Sequence, residues 1–333
     1  MRELVDRLTQ HTEGLLLLVI MLLAALLAVL SPYFLTISNL VDLVENYSVT
    51  TILALGVFVV LVAGGIDISF AATASVAQYI TAYAATAWGV PELVCIPLGL
   101  VVGLGLGCLN AALIYYLRVT SIIITIATMS VYFALLMWIT EGKSIYSLPD
   151  WWSTRIVLFS TETANGDLVR ITLPILVAIL TALATWFLMT RTAAGRQLTA
   201  MGGNPEAARR LGVNLGTMHF LAYGYLGLLA GLAGLLQAHR VGESVPNAMV
   251  GSELNVLAAA VLGGASLTGG IGTVGGVLLG ILLLAMLQNG LNLLGVSPYF
   301  FQIVIGLVIL VSTSITGLSA RTRRRDRRAV VAT

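Results

Sequence analysis

The sequence predicts an all-α polytopic membrane protein of about ten transmembrane helices, with both termini cytoplasmic and a short helix lying under the membrane. Three observations carry that expectation. Of 333 residues, 58% are hydrophobic and only 10% charged, and mean hydropathy is +0.98, which excludes a water-soluble globule. The charges are clustered: stretches such as Gly14 to Leu30 and Ile171 to Met189 hold none, so polar residues mark the gaps between spans. The formal net charge of +2 comes mostly from an arginine-rich end. It reports orientation and lipid contact and gives no indication of nucleic-acid binding.

Runs of about 20 apolar residues, broken at Gly, Pro and charge clusters, define ten segments. They are 14–34, 48–63, 68–88, 91–117, 120–140, 171–190, 217–238, 253–264, 275–295 and 300–318. The first is too long for the apolar core of a cleaved signal peptide and is read as an anchor. Between the first two, Leu40, Val41, Leu43 and Val44 alternate with Asp42 and Glu45, the pattern of a helix on the membrane surface or of an ordinary loop. In the fourth, Cys95 and Cys108 are thirteen residues apart, roughly 20 Å along a helix, so they cannot bridge each other and read as small buried hydrophobes. Gly99, Gly103 and Gly107, and again Gly272, Gly276 and Gly280, fall four apart, each trio lining one helix face for close packing. Asn110, near the inner end of the fourth segment, needs a partner, by default an interhelical hydrogen bond.

Orientation follows from the basic residues. With the N-terminus inside, ten spans place Arg2, Arg7, Arg118, Arg191, Arg196, Arg209, Arg210 and six tail arginines on the cytoplasmic side, thirteen against four; the reverse would export the Arg321 to Arg328 cluster. One transmembrane unit therefore covers residues 1–320, with an external loop at 141–170, a cytoplasmic loop at 191–216 and a basic cytoplasmic tail at 321–333. Trp151 and Trp152 in the external loop are read as interfacial anchors or as a surface for another protein.

Two places break an apolar run. At Gly64, Gly65, Ile66, Asp67, Ile68 and Ser69, two glycines release the helix and a carboxylate follows. Such a group at membrane depth costs about 2.5 to 3.5 kcal/mol, so Asp67 either caps the next helix or lines a pathway. The second break, Gly263 through Gly276, contains Ser266 and Thr268 and seven glycines in all; irregular backbone at that depth must be covered by protein or line a cavity. Broken helices in two halves are a transporter feature. Gly64, Gly65, Asp67, Ser69, Asn110, Ser266 and Thr268 are accordingly the candidates for lining a translocation path.

Catalytic signatures fail on inspection. Gly142, Lys143 and Ser144 imitate a phosphate loop, but Met137 stands where its first glycine belongs. Thr268 occupies the last glycine position of a GxSxG elbow. His11, His219 and His239 form no metal pattern; His11 and His239 read as interfacial, and His219 begins a span. Asn46, Tyr47 and Ser48 spell a chance glycosylation sequon. No catalytic residue, metal site or cofactor is expected in this chain, so energy for transport must come from an ion gradient or another polypeptide. Ion-coupled carriers place several acids or histidines in their spans, and here only Asp67 is a candidate.

The cytoplasmic loop reads Thr192, Ala193, Ala194, Gly195, Arg196, then Gly202, Gly203, Asn204, Pro205, Glu206, Ala207, Ala208, Arg209, Arg210, Leu211, Gly212. Asn204 suits an N-cap, Pro205 the first helical position, Glu206 the positive end of the dipole, and Gly212 the stop. Here the sequence resembles the permease subunits of bacterial ATP-binding-cassette importers, in particular the branch serving ribose, xylose and galactose. In that branch a TxxGR stretch, a GxN, an EAA-like element and a glycine form the coupling helix, matched by Thr192, Gly195, Arg196, Gly202, Asn204, Glu206, Ala207, Ala208 and Gly212. A GGIDLS-type element is matched by Gly64 to Ser69 with Ile68 in place of Leu, and the glycine-rich stretch by Gly263 to Gly276. After Ser69 the family usually has Val-Gly where this chain has Phe70 and Ala71.

The resemblance implies a bacterial inner-membrane subunit that forms the path and does no chemistry, while ATP and Mg are bound by partner ATPase subunits docked on the coupling helices. It also implies a second permease, identical or related, and a periplasmic sugar-binding protein. The sister branch for branched-chain amino acids and an ion-coupled secondary transporter are the rival readings; a structural scaffold is disfavoured by the paired breaks.

Overall fold

A computed structural model of the chain describes residues 12–162, 168–297, 299–304, 306–307 and 310. The chain is mostly helical, and seven of its helices among the described residues are long and apolar enough to cross a membrane. They are α1 (Thr12–Leu30), α2 (Ile37–Val62), α4 (Glu92–Leu117), α5 (Ser121–Thr140), α7 (Leu173–Arg191), α10 (Leu215–Val241) and α12 (Val274–Leu293). Between them lie α3 (Phe70–Ala87), α6 (Asp150–Ser153), α8 (Ala193–Gly203), α9 (Pro205–Arg210) and α11 (Glu253–Leu262).

The expectation of about ten spans therefore needs three amendments. The third predicted segment is the helix α3, but its buried Thr73, Ser75, Gln78 and Thr81 dilute its apolar character. Most of it packs inside the bundle, where no lipid contact requires a continuous apolar surface; only Ile80 and Tyr83 among its large apolar side chains are exposed. The eighth is α11, ten residues long, about 15 Å and half a bilayer. The tenth begins in helix at residues 299–304, and residues 311–318 lie outside the described residues, as do the arginine-rich tail and His11.

Two further expectations are corrected. The stretch Asn39–Asn46 is neither a surface helix nor a loop: Thr36 accepts a hydrogen bond from the Asn39 N–H at 3.3 Å, and the helix then runs 26 residues without interruption to Val62. Nor is the protein all-α. The loop between α5 and α7 carries an antiparallel ribbon of β1 (Val157–Glu162) and β2 (Leu168–Thr172), with Ser160 opposite Arg170.

The core lies around α2 and α10. Every residue from Ile52 to Val62 is buried, while α1, α4 and α5 turn Leu22, Val29, Leu93, Val101, Trp138 and Ile139 outward, as lipid-facing surfaces do. Because lipid is as apolar as leucine, helices in a bilayer associate by close packing instead of hydrophobic expulsion. The α4–α10 contact shows how. A β-carbon added at Gly103 would stand 2.3 Å from the Gly227 carbonyl oxygen, and one at Gly107 2.3 Å from that of Tyr223. The predicted face of Gly99, Gly103 and Gly107 is thus a seam on which two backbones touch. In the second trio Gly276 and Gly280 meet α11 in the same way, at Gly263 and Ala259. Gly272 lies outside α12, in the preceding break, with φ of 151°.

Trp152 is buried and donates its indole N–H to the Leu235 carbonyl at 3.0 Å, so it ties the α5–α7 loop to α10 and is no free anchor. His239, expected at the interface, is also buried, with Nδ1 2.7 Å from the Trp152 carbonyl oxygen. Cys95 and Cys108 are free thiols.

Candidate functional site

The hairpin after α7 is built by two consecutive caps. The Thr192 hydroxyl oxygen accepts from the Gly195 N–H at 3.1 Å and starts α8; Asn204 Oδ1 accepts from the Ala207 N–H at 3.0 Å and starts α9. At Gly195 a side chain would strike the Leu188 carbonyl oxygen at 2.3 Å, so only glycine lets α7 fold over into α8. Gly212, at φ of 86°, closes α9: its N–H donates to Arg209 O at 3.0 Å, and the next N–H, of Val213, to Ala208 O at 3.1 Å. Ala208 faces inward, whereas Arg196, Glu206, Ala207, Arg209 and Arg210 are exposed. Glu206 lies 3.1 Å from Arg209 and 3.6 Å from Arg210.

The two predicted breaks have the same local construction. After α2, the Gly64 N–H donates to Leu61 O and the Gly65 N–H to Val60 O, at 2.9 and 3.0 Å. After α11, the Gly264 N–H donates to Val261 O and the Ala265 N–H to Ala260 O, at 2.9 and 3.1 Å. Gly64 and Gly264 take left-handed φ values of 85° and 89°, where an L side chain is strained.

Both breaks converge on the hairpin. A β-carbon at Gly202 would lie 1.9 Å from the Val62 carbonyl oxygen and 2.7 Å from the Gly270 nitrogen; one at Gly269 would lie 2.7 Å from the Gly64 Cα. The Gly270 N–H donates to Val62 O at 2.9 Å. Three segments separated by some 70 to 140 residues of chain thus touch backbone to backbone, with no side chain between them.

Next to this junction is a buried polar knot. The Ser69 N–H and hydroxyl both donate to Asp67 Oδ1 at 2.7 Å. Asn110 Nδ2 donates to Ser69 Oγ at 2.6 Å and reaches Asp67 Oδ2 at 3.5 Å, and the Tyr132 hydroxyl donates to Asn110 Oδ1 at 3.1 Å. Burial pushes the Asp67 carboxyl above its ordinary range, and the bonds from Ser69 and Asn110 oppose that. On the other side of the break the Ile66 N–H donates to Ser121 Oγ at 3.0 Å, which fixes the start of α5. Of the predicted path candidates, Gly64 and Gly65 stand at the junction and Asp67, Ser69 and Asn110 form one network. Ser266 and Thr268 bond to each other at 2.9 Å.

At the opposite end of the bundle is a cavity of about 430 Å³ that the sequence reading missed. Four helices each give it one face: Asn46, Tyr47 and Thr50 of α2, Arg240 of α10, Asn255 of α11, and Gln288, Asn289 and Asn292 of α12, with Phe301 beside them. The signal was present as polar residues recurring at helical spacing, 46, 47, 50 and 288, 289, 292, inside otherwise apolar spans.

A family model described as branched-chain amino acid transport system / permease component matches residues 39–313. The chain is 34% identical over 309 residues to the ribose import permease protein of Escherichia coli strain K12, covering 89% of this chain and 91% of that protein. It is 30% identical over 307 residues to the D-allose transport system permease protein of the same strain, covering 91% of each. To that strain's galactose/methyl galactoside import permease protein it is 32% identical over 324 residues, covering 93% and 96%. No solved structure matches the chain.

Proposed function

The chain belongs to the family of branched-chain amino acid transport system permease components, and on that premise we propose that it is the membrane-spanning subunit of an ATP-driven sugar importer. It forms the translocation path and couples it to a separate ATPase. The relatives named above are sugar permeases, which favours a sugar over a branched-chain amino acid and makes the chain a transport subunit with ATP hydrolysis on a partner.

The observation that carries the mechanism is the junction at Gly202. An ATPase pair docked on the exposed face of α9 would, on closing, displace a short helix capped at both ends. Backbone contact at Gly202 leaves no deformable side chain to absorb the push, so displacement of the hairpin moves the ends of α2 and α11 together. The Asp67 knot moves with them, because its residues belong to the same break and to the helices facing it.

The complex in this reading contains two permease chains, identical or related, two ATPase subunits binding ATP and Mg, and a periplasmic binding protein delivering sugar to the external mouth. It lies in the bacterial inner membrane with both termini cytoplasmic and about ten spans, α3, α11 and the segment from residue 299 completing the seven. Replacing Glu206 and Gly212 should weaken ATPase association and uptake while leaving membrane insertion intact. Retained coupling in both variants counts against the hairpin's role, and uphill uptake by the isolated chain under an ion gradient counts against the whole reading.

A further inference from the structure

We propose that the cavity between α2, α10, α11 and α12 is a contact site for a neutral polyhydroxylated ligand on its way through the membrane, an assignment that rests on the sugar-importer reading and specifies it. Gln288 lies fourteen residues beyond the start of α12 at Val274 and Asn46 sixteen before the end of α2 at Val62. The amides are therefore about 21 to 24 Å from the junction end of those helices, in the outer half of the bundle.

The lining chemistry selects the ligand. Asn255, Asn292 and Thr50 line the cavity and are not fully buried. Their side chains make no hydrogen bond among the described residues, although each amide offers two donors and an acceptor. Gln288 Oε1 is engaged by the Tyr47 hydroxyl, and Asn289 is paired with Asn39 through two amide bonds of 2.8 and 3.1 Å; these hold the wall in shape. Polar groups at such depth are costly without a function. Unsaturated amides and a hydroxyl suit hydroxyls that both donate and accept, and the rings of Tyr47 and Phe301 supply apolar faces for the C–H surface of a sugar. The volume falls within the range of about 300 to 1,000 Å³ usual for small-ligand sites.

Exclusion points the same way. Among the described residues no carboxylate lines the cavity, and its single charge, Arg240, is held by the Asn46 carbonyl at 2.8 Å and by Gln237 Oε1 at 3.3 Å. An amino acid would bring an ammonium group with no anionic partner there.

The test uses the full complex of permease, ATPase and binding protein in proteoliposomes. In a background with Cys95 and Cys108 replaced by Ala, the thiol introduced by Asn255→Cys should react several-fold more slowly with a methanethiosulfonate reagent in the presence of D-ribose, D-allose or D-galactose, and at an unchanged rate with L-leucine. Separately, Asn292→Leu and Thr50→Val should each lower sugar uptake about five- to tenfold, the loss of one neutral hydrogen bond, with ATPase association unchanged. Unaltered labelling with every sugar, protection by L-leucine, or full uptake in both variants would overturn the assignment while wild-type uptake upholds the importer. If the wild-type complex takes up none of these sugars, the sugar-importer reading itself falls.

Discussion

Gly202 and Gly203 are chemically identical neighbours with opposite tolerance. A methyl group at Gly202 would sit 1.9 Å from a main-chain oxygen that cannot turn aside, whereas one at Gly203 meets nothing within 4 Å. Gly202→Ala should therefore abolish most uptake and lower stability by about 1 to 3 kcal/mol, the cost of overpacking, and Gly203→Ala should do neither; uptake and thermal unfolding in detergent measure both. Asp67→Asn keeps an oxygen for the two Ser69 donors but turns an N–H₂ toward Asn110 Nδ2. One unmet buried donor costs about 1 to 3 kcal/mol, and reduced uptake with a lowered melting temperature is expected; a fully active variant would leave Asp67 only its capping bonds. At this scale the sequence was informative where a residue acts on its own backbone: Asn204, Pro205 and Gly212 could be read as cap, start and stop. It marked Gly202 only through a family motif and not its contact with Val62, because a glycine's neighbour from 140 residues earlier leaves no trace beside it.

Helices that touch through glycine tolerate substitution on one face only. Gly103 lies in the α4–α10 seam and Gly105, two residues on, faces open space. Gly103→Ala is expected to destabilise the solubilised protein clearly, and Gly105→Ala to leave it unchanged or raise its stability by up to about 1 kcal/mol, since alanine is the better helix former. Unfolding temperature reads the difference. The fourfold spacing made the first seam legible. The second was misassigned at Gly272, because regular spacing carried on past the true start of α12, where Thr273 accepts the Gly276 N–H at 3.0 Å. Hydropathy located most spans but is weakest on α3, whose surroundings are mostly protein; composition reports the solvent a helix faces, and α3 turns outward only near its C-terminal end, at Ile80 and Tyr83.

Across the whole molecule, the end of the bundle opposite the hairpin is held by specific bonds. Glu45, buried on α2, pairs with half-exposed Arg155 of the α5–α7 loop at 2.5 Å. Arg155→Ala would leave the buried carboxylate only the more distant charge of Arg240; with one partner half in water, about 1 to 2 kcal/mol should be lost, well below a fully buried pair, and protease cleavage within 141–170 should accelerate. Topology is tested by alkaline phosphatase fusions, expected inactive after Gly212 and active after Gly295. The order of the spans and the family could be read from one chain, since breaks and hairpin are local signatures in a fixed sequence. The amide cavity could not, because it is assembled from four helices contributing one face apiece.

The 26 residues of α2 extend about 39 Å, and the turn held by Arg155 and Arg240, at Glu45 and Asn46, lies about 24 to 26 Å from the glycine contact at Val62. A stiff rod of that length transmits displacement without slack. In the importer proposed above, an event that seizes the ribbon and one that shifts the hairpin would be two ways of loading the same beam, with no separate wire needed between cargo and motor.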